Sequence, residues 1–180
     1  MHRMIFGGVF ERFPKLRLVL TELPGDWWRV KLADMDSMAY TGGGSGLTMK
    51  PSEYARRNVF LGASFQARFE AEDAIEHDYW QNIIWGTDYP HIEGTWRRPA
   101  EDEIPQSQLS LRYTYHDKPI DKVVAMIGLN GVRVYGLDGE ALHKVAQRIN
   151  APTVADVQTP IESIPDNHGM WAFRQFAAFG

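Results

Sequence analysis

Residues 82–96 read Asn-Ile-Ile-Trp-Gly-Thr-Asp-Tyr-Pro-His-Ile-Glu-Gly-Thr-Trp, and this stretch decides the fold. An apolar run at residues 83–85 stops at a glycine, and a polar cluster follows at once. This pattern is typical of a buried strand whose apolar part fills a core and whose carboxyl end reaches a site. Pro90 and Gly94 then turn the chain away. The stretch therefore predicts a strand that presents Asp88 to a ligand or a metal.

Two further apolar runs lie upstream of this strand. Residues 16–20 and 59–63 are apolar almost throughout, which is typical of strands buried on both faces. Apolar side chains recur at helical spacing over residues 27–40, and a helical stretch at 69–79 leads to the strand at 83–87. Because each connection is longer than a hairpin loop, parallel strands with crossover helices are favoured. We predict an α/β fold with about three parallel strands.

Helices are expected at the start of the chain and after the last strand. A short amphipathic helix is predicted at residues 3–12. Four more are predicted, with Gly128 and Gly136 as natural stops, at about residues 107–114, 120–127, 130–135 and 140–148. We assign residues 1–150 to one domain. Residues 151–180 form a tail whose aromatic end we expect to pack back on the body, because it would otherwise be sticky.

Composition limits the classes of function. The 180 residues suffice for one domain with a sizeable core. A net charge of −4 and the lack of any basic run predict no nucleic-acid partner. The chain has no cysteine, which excludes disulfides and thiolate metal sites. No apolar run approaches the roughly 20 residues of a membrane helix, and the N-terminus lacks a signal-peptide layout. We therefore expect no membrane association and a cytoplasmic location.

Motifs spread over residues 4–150 occur together in the order found in one enzyme family. They are Gly8-Val9-Phe10-Glu11-Arg12-Phe13-Pro14-Lys15-Leu16, Thr21-Glu22, Gly25-Asp26-Trp27, Trp85-Gly86-Thr87-Asp88-Tyr89-Pro90-His91, Glu93-Gly94-Thr95-Trp96, Gly128-Leu129-Asn130 and Val134-Tyr135-Gly136. With them the chain resembles the C-terminal part of the amidohydrolase-related family, metal-dependent hydrolases and decarboxylases similar to aminocarboxymuconate semialdehyde decarboxylase. The resemblance implies the last three strands of a (β/α)8 barrel of the TIM type, followed by C-terminal helices.

The candidate catalytic residues are two carboxylates at predicted strand ends. From the residues alone, Asp88 is either a metal ligand or the cap of the following turn. Glu22 is either a general acid or base or part of an ion pair with an arginine. The resemblance implies that Asp88 occupies the family's last-strand aspartate, which binds the metal and helps activate its water. It also places Glu22 where some members carry a catalytic histidine and others a glutamate.

Three residues beside Asp88 are assigned to substrate binding. His91 could be a metal ligand, a substrate contact or a hydrogen-bond donor to another ligand, and after Pro90 we expect it at the mouth of the site. Tyr89 and Trp96 flank the same loop and are expected to line it. The substrate is expected to be a small organic molecule.

The resemblance implies a site that this chain completes only in part. The family opens with His-x-His on its first strand, whereas no two of the six histidines here are separated by one residue. A barrel typically needs about 250 residues, and three strands leave unpaired edges. We therefore expect an incomplete barrel that needs an N-terminal half or a second copy of itself. The expected cofactor is a divalent metal, with zinc favoured over manganese or iron.

The resemblance implies a metal-dependent hydrolase acting on a small organic substrate. The close alternative is a nonoxidative decarboxylase of the same family. A second class remains open, a non-catalytic fragment or accessory subunit, so whether the chain alone is an enzyme stays undecided. A third and weaker hypothesis is a sugar-binding module built on the six tryptophans.

Overall fold

Three parallel strands form one open sheet in a computed structural model that describes residues 1–23, 25–43, 46–97, 104–164 and 171–174. The strands are β1 (Leu18–Thr21), β2 (Val59–Ala63) and β3 (Ile83–Trp85), with β2 in the middle. Leu61 of β2 lies opposite Leu20 on one side and Ile83 on the other. These strands confirm the predicted α/β class and the parallel sheet.

Helices connect and follow the strands. The α-helices are α1 (His2–Phe6), α2 (Val9–Arg12), α3 (Trp28–Met38), α4 (Pro51–Asn58), α5 (Arg68–Glu76), α6 (Gln106–Tyr115), α7 (Ile120–Val124), α8 (Asn130–Tyr135), α9 (Gly139–Arg148) and α10 (Val154–Val157). Short 3₁₀ turns occur at Trp80–Asn82 and Trp171–Phe173, and π-helical turns at Ala39–Gly43 and Ala125–Leu129. None of the helices in the described part of the chain is long and apolar enough to cross a membrane.

The structure differs from the predicted helices at two glycines. The helix expected at residues 3–12 is two short helices, because Gly8 between them adopts a left-handed φ of 66°. Gly128 does not stop a helix: the chain continues through a π-helical turn from α7 into α8. Gly136 ends α8 as predicted, with a left-handed φ of 67°.

The core surrounds the middle strand. Val59, Phe60 and Leu61 of β2 are all at most 2% exposed, so this strand is buried on both faces as predicted. The same prediction is wrong for β1, which starts at Leu18 and is only half-buried along most of its length. Among the described residues β1 bonds to one neighbouring strand only, and an edge position explains its exposure.

Three buried asparagines tie together the amino-terminal ends of the strands. Each lies in the unit that follows the strand it holds, and its side-chain amide donates to two backbone carbonyls. The bonds, of 2.6–2.9 Å, run from Asn58 to Pro14 and Leu16, from Asn82 to Arg56 and Val59, and from Asn130 to Trp80 and Ile83. We call these residues the asparagine ladder. Two of these bonds, to the carbonyls of Val59 and Ile83, are buried, and all six supply partners to backbone carbonyls at this edge.

Two described pieces of the C-terminal segment contact the body. Val157 of α10 is buried, and Arg112 Nε of α6 donates to the Asp156 carbonyl at 2.9 Å. The Trp171 ring meets the Phe65 ring edge-on, with centroids 5.3 Å apart. The division into residues 1–150 and a tail stays a prediction. The parts of the tail at 165–170 and 175–180 lie outside the described residues.

Candidate metal centre

Two carboxylates leave the carboxyl-terminal edge of the sheet through sharp backbone turns. Glu22 follows β1 directly with a φ of 56°, and Asp88 follows β3 by three residues with a φ of 60°. Positive φ is uncommon for residues other than glycine and points to a functional constraint when nothing local explains it. The other two described examples, Asp78 and Asn150, fall just past helix ends, where this conformation is ordinary.

These turns bring Glu22, Asp88 and His91 together. One donor atom from each lies within 4.8 Å of the other two. The His91 Nδ1 atom is 3.3 Å from Asp88 Oδ2 and 3.8 Å from Glu22 Oε1. Both predicted catalytic carboxylates therefore lie in one group. His91, which we had assigned to the substrate, is its third member.

The loop after β3 holds His91 in place through bonds within the loop. The His91 amide donates to the Asp88 carbonyl at 2.8 Å, and the Thr95 amide donates to the Thr87 carbonyl at 2.9 Å. The Trp96 indole nitrogen donates to the His91 carbonyl at 2.7 Å. The loop closes tightly at Gly94, where a Cβ atom would lie 2.5 Å from the Thr87 carbonyl oxygen. Only glycine fits at that position.

The three side chains differ in burial, and this sets their electrostatics. The Asp88 side chain is 5% exposed, whereas those of Glu22 and His91 are 55% and 49% exposed. Burial raises the pKa of Asp88, and the charges of Glu22 and Glu93 add to that rise. His91 and the Ser64 hydroxyl, at the end of β2, act in the opposite direction on this pKa. The Asp88 carboxyl therefore has a higher proton affinity than an ordinary aspartate.

The group fits a divalent cation. Asp88 Oδ2 is buried and finds no hydrogen-bond partner among the described residues. A buried carboxylate oxygen without a partner is costly, and a cation would remove that cost. Two carboxylates and an imidazole suit zinc, manganese or iron, and three protein ligands are usual at a catalytic zinc. The three residues also exceed the single carboxylate ligand that we had assigned from the sequence.

The remaining substrate candidates lie on the same loop. Tyr89 is 73% exposed and meets the Trp96 ring edge-on, with centroids 5.1 Å apart. Trp96 is half-buried and also holds the His91 carbonyl, so its location suits positioning as well as substrate contact. The buried Thr95 hydroxyl, which sequence reasoning passed over, finds no partner within the described part of the chain. The substrate-binding roles stay predictions.

Comparison with known proteins supports the partial-barrel fold. In 5-carboxyvanillate decarboxylase LigW from Sphingomonas paucimobilis, the similar region is 30% identical with a TM-score of 0.57, covering 76% of this chain and 38% of that one. The Metarhizium anisopliae IDCase in apo form is 20% identical, with a TM-score of 0.51, and the match covers 73% of this chain and 37% of that one. This likeness shows the fold alone. The chain thus spans less than two-fifths of either structure. Its open sheet corresponds to part of a (β/α)8 barrel.

A family model described as Amidohydrolase matches residues 1–137, well over half of the 180 residues. Members of that family generally bind a divalent metal, and Glu22, Asp88 and His91 form a group able to hold one. The sequence match, the parallel sheet and the carboxylate group at its carboxyl-terminal edge lead to one conclusion: as the motifs predicted, the chain belongs to the amidohydrolase family.

Proposed function

We propose that this chain forms the carboxylate side of the active site of a metal-dependent decarboxylase that acts on a small carboxylated substrate. The observation that carries the proposal is the Glu22–Asp88–His91 group, in which a buried Asp88 oxygen has no hydrogen bond from any described residue. The decarboxylase alternative that the resemblance implies is supported by the 30% identity to an enzyme named 5-carboxyvanillate decarboxylase. We retain zinc as the favoured metal, with manganese or iron as alternatives.

The three ligands differ in what else they can do. When bound, the metal supplies a Lewis acid that polarises a substrate oxygen. Asp88 is buried, so it holds its position and keeps water from its side of the site. Glu22 is more than half exposed and therefore open to a substrate. His91 lies 3.3 Å from Asp88 and 3.8 Å from Glu22 and offers a ring nitrogen as the third ligand atom.

In the proposed reaction the bond between the substrate carbon and its carboxylate breaks, and carbon dioxide leaves. The electron pair stays on the carbon, which then takes one proton. Glu22 is the residue we assign to deliver that proton, since it is the accessible carboxyl of the group. The exchange balances as one proton consumed and one carbon dioxide released.

A hydrolase is the second candidate. The family model carries the description Amidohydrolase, and the raised pKa of Asp88 suits a carboxylate that accepts a proton from an attacking water. In this reaction the oxygen of water enters the product. The two candidates therefore differ in which atom the solvent donates.

Isotope labelling separates the two candidates in an enzyme that contains this chain completed by a His-x-His half. Aromatic carboxylates and the matching amides and esters are incubated with zinc or manganese in D₂O and, separately, in H₂¹⁸O. A decarboxylase places one deuterium on carbon and releases carbon dioxide, whereas a hydrolase places ¹⁸O in the product. If neither label enters any product of the metal-loaded enzyme, the proposal is wrong.

The partner of this site also stays a proposal. In the described part of the chain, β1 and β3 each bond only to β2, so each has an open edge. Open strand edges favour pairing with another chain. We propose that an N-terminal half or a second copy covers them. Light scattering tests this, and a clean monomer with a cooperative melt would contradict it.

A further inference from the structure

A buried glutamate links the loops that follow β1 and β2. Glu70 on α5 is 2% exposed. Its Oε1 accepts from the Gly25 amide at 2.7 Å, and its Oε2 accepts from the Ala67 amide at 2.8 Å. Gly25 lies three residues after Glu22, and Ala67 lies three residues after Ser64. One carboxylate therefore joins the loop that carries Glu22 to the loop that carries Ser64, whose hydroxyl hydrogen-bonds Asp88.

The linkage requires both oxygens of Glu70 to accept. An ionised carboxylate accepts at both oxygens, whereas a protonated one must use an oxygen as a donor. Burial raises the pKa of Glu70, and the two amides and a neighbouring arginine counter that effect. A nearby positive charge therefore favours the ionised form of Glu70 that both bonds require.

That charge comes from the C-terminal segment. Arg174 Nη2 lies 2.7 Å from Glu70 Oε1, and the two side chains are 8% and 2% exposed. Arg174 Nη1 donates to the carbonyls of Phe65 at 2.5 Å and Trp171 at 2.9 Å. The guanidinium also lies over the Phe69 ring, 5.5 Å from its centroid. Arg174 is therefore fixed at the end of β2, about a hundred residues away in the chain.

We propose that Arg174 is a positioning residue for the metal centre: through Glu70 it fixes the loops after β1 and β2 and so sets the place of Glu22. The ion pair of Glu70 and Arg174 is the latch. The inference rests on the proposed metal-binding function, because Glu22 matters here as one of its ligands. It assigns the C-terminal segment a role at the active edge of the sheet.

Amide hydrogen exchange tests the latch directly in the chain. In Arg174→Met the Gly25 and Ala67 amides should exchange about tenfold faster or more, as expected when bonds to a charged acceptor weaken. Arg174→Lys, which keeps the charge, should show a smaller change. Unchanged exchange at both amides in a folded Arg174→Met chain would overturn the proposal. If Arg174→Met does not fold, amide exchange in Arg174→Lys is compared with that in the unmodified chain. Unchanged exchange at both Gly25 and Ala67 would then overturn the proposal.

Arg112→Met is the matched control. Arg112 also binds the C-terminal segment, through the Asp156 carbonyl, but makes no described contact with Glu70. The same substitution there should leave the Gly25 and Ala67 amides unchanged. Equal acceleration in both variants would show a general loosening of the segment and would overturn the proposal.

Manganese titration connects the latch to the site. The Mn²⁺ affinity of the enzyme completed by the His-x-His half, followed by electron paramagnetic resonance, should fall several-fold in Arg174→Met and stay unchanged in Arg112→Met. Faster exchange with unchanged Mn²⁺ affinity would overturn the positioning role. If the enzyme completed by the His-x-His half binds no Mn²⁺ while the Gly25 and Ala67 amides depend on Arg174, the metal-binding function fails and the latch itself is upheld.

Discussion

The two edges of the sheet treat buried polar groups in opposite ways. At the amino-terminal edge, each residue of the asparagine ladder donates to two backbone carbonyls. At the carboxyl-terminal edge, Asp88 Oδ2 and Thr95 Oγ1 are buried and have no partner among the described residues. The first arrangement stabilises the fold. The second leaves buried polar groups that a bound ligand could contact. Barrel enzymes separate stability and activity between the two faces in the same way.

The backbone shows the same division. The strands begin in ordinary extended conformations, but Glu22 and Asp88 leave the sheet in the left-handed region. Such positions cost free energy and persist only where the surroundings hold them. In this chain the loop after β3 and the latch supply that support. The comparison predicts that substitutions at the two edges act on different measurements.

The largest effect is expected on activity at the carboxyl-terminal edge. In the completed enzyme, Asp88→Ala should lower turnover by about a thousandfold or more, because it removes a metal ligand. Circular dichroism should show a fold close to that of the unmodified enzyme. Retained turnover with saturating metal would show that Asp88 is not the metal carboxylate.

The next largest effect is expected on stability at the amino-terminal edge. Asn82→Ala should lower the free energy of unfolding by about 2–4 kcal/mol, since it removes two hydrogen bonds from a buried amide to the carbonyls of Arg56 and Val59. Urea unfolding of the chain measures this. The neighbouring exposed Gln81→Ala is the control and should stay close to the unmodified chain. Similar losses in both would show that the ladder is not what secures this edge.

Asp88, whose removal should abolish activity, is also expected to lower stability, so replacing its charge should stabilise the chain. Without metal, Asp88→Asn should raise Tm by a few degrees at neutral pH, because it removes a buried charge. Since the pKa of Asp88 is raised in the folded state, the unmodified chain loses stability as pH rises from about 4, near the unfolded pKa, through the folded value. The gain should therefore vanish below about pH 4. A Tm that falls at neutral pH would place Asp88 among the stabilising residues.

The smallest effect is expected in the helical layer, away from both edges. The pKa of Asp73 is lowered: burial opposes this, but hydrogen bonds from Arg29 and Tyr79 outweigh it. Asp73→Asn should cost about 1 kcal/mol or less, because the Arg29 partner is half exposed. Because the folded pKa of Asp73 is lowered, its ionised carboxylate stabilises the fold at pH values above the unfolded pKa of about 4. This stabilisation is lost as the pH falls through the folded pKa. Chemical unfolding over a series of pH values from 7 downward checks this, and a loss that stays constant throughout the series would contradict it.

The parts of this molecule that the sequence predicts are those encoded in short continuous stretches. The apolar runs locate β2 and β3 to within two residues, and the polar residues after them place Asp88 at the carboxyl edge. Glu22 followed from the same reasoning, because parallel strands end on one side. The family motifs then indicate which barrel the strands resemble.

The parts that escape prediction depend on contacts between distant residues. His91 joins the two carboxylates because Trp96 and the tight loop at Gly94 hold it there, which no periodicity reveals. Asn130 holds the carbonyls of Trp80 and Ile83, some fifty residues away, which its position in the sequence does not reveal. The latch joins residues about a hundred positions apart. Sequence patterns of period two or 3.6 do not report such pairs.

The asparagine ladder has a consequence for synthesis of the chain. Asn58, Asn82 and Asn130 each belong to the unit after the strand whose start they hold. A strand emerging from the ribosome therefore receives these hydrogen bonds only once the next segment has been synthesised. Growth of the sheet is directional, and a pause in translation between two units leaves the most recent strand unsecured until its asparagine arrives.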